Sequence, residues 1–135
     1  MKTTPATKKT NKEVKAFKSF LTDMPDDFSA ISAYESTDNT KVIEIAKSVE
    51  DSVYVSFDVD DLSVGKYNTQ ITEIIKCLES NTKVGIKLLD VYESIEVWIG
   101  SDYLKIFDGP SSYVIIANDE QNRNLLIKAL QFVIQ

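Results

Sequence analysis

The stretch Glu93 to Ala117, ESIEVWIGSDYLKIFDGPSSYVIIA, constrains this chain most, because it reads as three consecutive strands joined by two short turns. Ile95, Val97 and Ile99 alternate with Glu96 and Trp98. Gly100, Ser101 and Asp102 then break the run, and Tyr103 to Phe107 resumes it. In the second turn, Asp108 to Ser111, Gly109 supplies a positive φ, while Pro110 pre-sets its own φ and removes a ladder donor. Ser112 to Ala117 is the third strand. The block is apolar on both faces, since Trp98 stands opposite Val97 and Ile99, and Tyr103 and Phe107 stand opposite Leu104 and Ile106. Either helices cover it from both sides, or Trp98, Tyr103 and Phe107 form a protein interface of aromatic anchors.

The rest of the chain supplies three helices and further strands. Asn11 is placed to cap a helix with Val14, Phe17 and Leu21 on one stripe, and Pro25 ends it. Asp26 to Glu35 reads as a strand, Thr37 to Thr40 as a turn, and Lys41 to Lys47 as a second strand. Val53, Val55, Phe57 and Val59 alternate with polar residues along a third, Ser52 to Val59. Asp60 to Gly65 is expected as a loop. The helix from Asn68 to Glu79 has Ile71, Ile74, Ile75 and Leu78 at helical spacing. Thr82 to Asp90 is the next strand, where Gly85 suggests a bulge. Asn118 is the expected cap of the last helix, with Asp119 and Glu120 near its positive end. That helix is apolar over more of its surface than one sheet face requires. The predicted architecture is α+β, with one antiparallel sheet of about six to seven strands in the order α-βββ-α-ββββ-α.

With 135 residues, 43% of them hydrophobic, the chain can close one core without a covalent staple. Its single cysteine, Cys77, falls between core-facing helix positions and reads as packing. One cysteine and no apolar leader near Met1 point to a reducing cytoplasm, and no apolar run has the ~18 residues of a membrane span. Charge is divided unevenly. Residues 1–20 hold Lys2, Lys8, Lys9, Lys12, Lys15 and Lys18 against Glu13, a local +5. Taken from the total of −6, this leaves −11 for residues 21–135. Residues 1–11 therefore read as a basic flexible arm and 12–135 as a single domain. Lys8, Lys9, Lys12, Lys15 and Lys18 are the candidates for contact with DNA or another acidic partner.

Little in the sequence points to catalysis. There is no histidine, hence neither the commonest general base nor the commonest metal ligand, and the four glycines are isolated, so no phosphate-cradling loop can be written. Asp58, Asp60 and Asp61 at a strand end form the one acidic cluster with metal-binding potential for Mg²⁺ or Mn²⁺. A solvated acidic turn accounts for the same residues. No cofactor and no small-molecule substrate is expected.

From Val53 onward the sequence resembles one domain of the sliding DNA clamps, the ring-shaped processivity factors. The likeness lies in FDVDDL, ITEIIKCLES, KVGIKLL and IEVWIGSDYLKIFDGPSSYVIIAND, and extends to VKAFKSFLTDM, FSAISAYES and KVIEIAK, so that it covers residues 12–118 as pattern and order. It implies a ring of several such domains, with basic helices toward the DNA backbone and an acidic outer surface. The lysines of the first helix suit that role, whereas Lys76 of the second is offset by Glu73 and Glu79. In size and element order the chain is also similar to small acidic secretion chaperones, and its acidity to inhibitors, some viral, that imitate DNA. All three imply a non-enzymatic protein acting through protein partners or self-association.

Overall fold

A computed structural model describes residues 8–9, 30–48, 50–89, 94–109 and 112–135. The expected first helix, with Lys12, Lys15 and Lys18, lies outside them, as does the boundary at residue 11. The described elements are strands β1 (Lys8–Lys9), β2 (Ala30–Ser36), β3 (Thr40–Ala46), β4 (Ser52–Asp58), β5 (Val84–Leu89), β6 (Ser94–Ile99), β7 (Tyr103–Asp108) and β8 (Tyr113–Ala117), and helices α1 (Val59–Ser63), α2 (Asn68–Ser80) and α3 (Glu120–Ile134).

The fold is mixed α+β, but the single sheet predicted from the sequence is two. One runs in the order β1-β2-β3-β4 and the other β5-β6-β7-β8. The first is antiparallel except that β1 runs parallel to β2, with Lys8 opposite Glu35. The second is wholly antiparallel. Alternation of side chains dictates which face of a strand is dry and says nothing about which edge it pairs with, so β4 and β5, separated by two helices, could not be assigned to different sheets from periodicity.

Local signals were otherwise informative. Asn39 takes the left-handed conformation (φ 68) in the turn that Thr37 to Thr40 marks, and Gly109 (φ 91) does so after β7. Asp60 to Gly65 is not all loop: the Asp58 side chain accepts a hydrogen bond from the Asp60 N–H at 2.8 Å and caps the short helix α1. The last helix is capped one residue later than expected, since Asp119 Oδ1 accepts from the Asn122 N–H at 2.7 Å. Its other end meets Lys41, whose Nζ donates to the carbonyl oxygens of Phe132, Val133 and Gln135 at 3.1, 3.5 and 3.4 Å. Those are carbonyls the helix cannot satisfy itself, at the negative end of its dipole.

One core joins both sheets. Ile43 and Ile45 of β3, Val53, Val55 and Phe57 of β4, and Leu104, Ile106, Val114 and Ile116 of the second sheet pack on α2 and α3. α3 packs against α2, β2 and β3, which accounts for its broad apolar surface, and Cys77 packs at the margin. Strand β3 is buried on both faces, because Val42, Glu44 and Ala46 are as inaccessible as Ile43 and Ile45. The Tyr34 hydroxyl donates to Glu44 Oε1 at 3.4 Å there, and burial, aided by the Glu44 charge, pushes the phenol pKa up. No described helix is long and apolar enough to cross a membrane.

Ile74 of α2 is fully buried, and borders Ile43, Ile45, Val55 and Phe57 from one sheet, Val97 and Ile106 from the other, and Leu126 and Leu130 of α3. Ile74→Ala is expected to lower unfolding stability by about 3 kcal/mol through reduced burial and an unfilled cavity. Urea denaturation followed by far-UV circular dichroism measures it, and a decrease below about 1 kcal/mol would show that the two sheets do not depend on this side chain.

Candidate docking surface

The second sheet has one dry face and one open face. Across the inner face run the rows Val84, Ile99, Leu104, Ile116 and Ile86, Val97, Ile106, Val114. Across the outer face run Gly85, Trp98, Lys105, Ile115 and Glu96, Phe107, Tyr113, with Tyr103 beside Ala117 at the end. Among the described residues only Val64, Trp98, Tyr113 and Ile115 are exposed large hydrophobics, and three of the four lie on this face, 43%, 47% and 39% accessible in chain order. Among the described residues, no helix covers Trp98, Tyr113 and Ile115 on this side.

The structure brings the sequence-predicted interface residues Trp98, Tyr103 and Phe107 onto that one face, and adds Tyr113 and Ile115. The face divides in two. On one half Phe107 and Tyr113 lie with ring centroids 5.3 Å apart, and Lys105 Nζ sits 4.8 Å from the first and 4.3 Å from the second. Those are cation–π distances, so the ammonium closes this half on itself. On the other half Trp98 lies against Gly85, its Nε1–H donating to Glu96 Oε1. A Cβ at Gly85 would come 2.9 Å from indole Cδ2 and Cε3. Gly85 therefore marks the close approach of an aromatic ring, not the bulge expected of it, and the β5–β6 register is unbroken.

Tyr103 rests on Gly100 in the same way. Between the two ring–glycine pairs opens a cleft of about 430 Å³, lined by Lys83, Val84, Gly85, Trp98, Ile99, Gly100, Ser101, Asp102 and Tyr103. The Gly100 that lines it is held by Asn118, the residue expected to cap α3. Asn118 Nδ2 donates to the Gly100 carbonyl at 2.7 Å and to Asn81 Oδ1 at 2.9 Å, its backbone N–H donates to the Asp102 carbonyl at 3.2 Å, and its Oδ1 accepts from Arg123 at 2.6 Å. One amide thus ties the β6–β7 turn to the ends of α2 and α3. A lone asparagine before a helix carries no sign of such a partner set, whereas the alternation of Trp98 with Val97 and Ile99 did place the indole on the face opposite them.

The remaining candidates lie apart from this face. Asp58 caps α1, Asp60 is in its first turn, and Asp61 Oδ2 pairs with Lys66 Nζ at 3.5 Å. Among the described residues no three His, Cys, Asp or Glu side chains are grouped to hold a metal ion. Lys8 and Lys9 lie in β1, at the edge of the first sheet.

Gly85→Ala should force the indole off the strand. Since Trp98 is the only tryptophan in the chain, its emission is expected to shift to the red while far-UV circular dichroism stays unchanged. An unshifted spectrum would mean that the ring does not rest on Gly85 in solution.

No protein-family model matches the chain, and no curated protein or solved structure does either.

Proposed function

We propose that this chain is a non-enzymatic binding or assembly protein that works through protein–protein contacts made by the outer face of its second sheet. The observation that supports this most is the state of Trp98. A large ring, 43% accessible, is fixed against Gly85 in a face that also exposes Tyr113 and Ile115. An aromatic residue with little freedom left to lose makes an efficient anchor, because the entropic cost of ordering it is already met within the fold.

The expected consequence is that Trp98→Ala weakens self-association or capture of a purified partner by more than about 1 kcal/mol, with the urea midpoint close to that of the parent. Analytical ultracentrifugation across a concentration series, run beside denaturation, reads both. Reduced stability with association intact would return Trp98 to a purely structural role.

A second reading, a sliding-clamp-like factor associated with DNA, draws on the succession of meander, helix and meander around one core and on the +5 charge of residues 1–20. The described helices lend little to it, since α2 sets Lys76 against Glu73 and Glu79. On this reading the mass by light scattering is that of a closed ring. Changing Lys8, Lys9, Lys12 and Lys15 to Gln weakens DNA binding and lowers the slope of log affinity against log salt by up to about 4, one for each phosphate that a lysine no longer neutralises. A dimer or monomer that ignores DNA removes this reading and leaves the first intact.

A further inference from the structure

We infer that the cleft between Trp98 and Tyr103 takes a cationic side chain, arginine before lysine, of a partner protein. This rests on the reading of the outer face as a docking surface and specifies what docks there.

The indole presents one π face to Gly85. Cδ2, Cε3 and Cε2 lie at nearly equal distances, 2.9, 2.9 and 3.0 Å, from the point a Cβ would occupy, so the ring lies flat on the strand and turns its other face outward. Lys105 is the cross-strand neighbour of Trp98, yet its ammonium sits over Phe107 and Tyr113 on the other half of the face. This cross-strand cation is thus directed away from the indole. Glu96 accepts the Nε1–H, and a carboxylate drawing on that proton leaves the ring richer in π density, which strengthens its attraction for a cation.

Charge around the cleft favours the same occupant. The exposed Asp102 stands at its lip, and residues 21–135 carry −11 in all. Among the described residues that line the cleft, Lys83 is the one cation, and its Nζ is engaged by the Asn81 carbonyl at 2.8 Å, at the rim. A guanidinium can stack on the indole and still offer N–H groups to Asp102, whereas an ammonium gives up more hydration and cannot match a planar ring. A nucleic-acid base could also stack, but its phosphates would approach Asp102, Glu96 and an acidic body. The like charges disfavour it.

Trp98 is the sole tryptophan, so its emission reports the cleft directly. The full chain is titrated with three synthetic pentapeptides, acetylated and amidated, with arginine, lysine or the neutral isostere citrulline at positions two and four and glycine elsewhere. An oligothymidylate is titrated separately. The arginine peptide should produce a saturable change in emission and bind at least about fivefold more tightly than the citrulline peptide, with lysine between them. Asp102→Asn, a change at an exposed position, should weaken the arginine peptide about threefold and flatten its dependence on salt. Equal binding of the arginine and citrulline peptides would overturn the proposal, as would an oligothymidylate that saturates the signal when the peptides do not. If Trp98→Ala disrupts association while no peptide binds at all, the cationic occupant is refuted and the docking face stands.

Discussion

The packing on which the molecule depends is the apolar cluster at Ile74, where two helices and two sheets meet. The sheets share no ladder, so no hydrogen bonding across their edges holds them in one body. What joins them is burial: inner-face residues of both lie against α2 and α3, close to a fully buried side chain. Polar groups then fix how the elements meet. Lys41 of the first sheet satisfies the last carbonyls of α3, and Asn118 holds the turn of the second sheet against the ends of both long helices. Such bonds contribute modestly as a net term, but leaving the helix carbonyls or the Gly100 carbonyl unmet would cost more.

Because both sheets use their inner faces for the same core, what distinguishes them is the other side. In the first sheet Val42, Glu44 and Ala46 on the far face of β3 are buried, and a glutamate at full burial beside a tyrosine is a polar feature inside the fold. In the second sheet the far face carries accessible Trp98, Tyr113 and Ile115. The asymmetry between the sheets is what gives the molecule a front.

That front is ordered in advance. Two aromatic rings rest on two glycines, and a lysine rests on two other rings, so Trp98, Tyr103, Phe107 and Tyr113 are held in place by contacts within the chain itself. Glycine carries no side chain to pack within a strand and weakens it there. At Gly85 the strand packs on the indole in exchange. The same geometry supplies the cleft, because the ring–glycine pairs lie low on the sheet and leave space between them.

The sequence by itself determined the courses of β2 to β8, the two long helices and, in β4, the side of the strand that is dry. Those follow from side-chain period and turn residues, which act over a few positions: the alternation of Val97 and Ile99 with Glu96 and Trp98 already put the indole on the face opposite the two aliphatic residues. It determined also that Gly109 would accept a positive φ. Only the tertiary structure decided that the strands divide into two sheets, that Asp58 and Asp119 cap helices while Asn118 ties three elements together, and that Gly85 marks a ring and not a bulge. Each of these turns on a neighbour distant in sequence, or on one hydrogen bond chosen among several that the same residue could make. A periodic pattern sets which way a side chain points, but what it meets there is set by how the helices bring the two sheets onto one core.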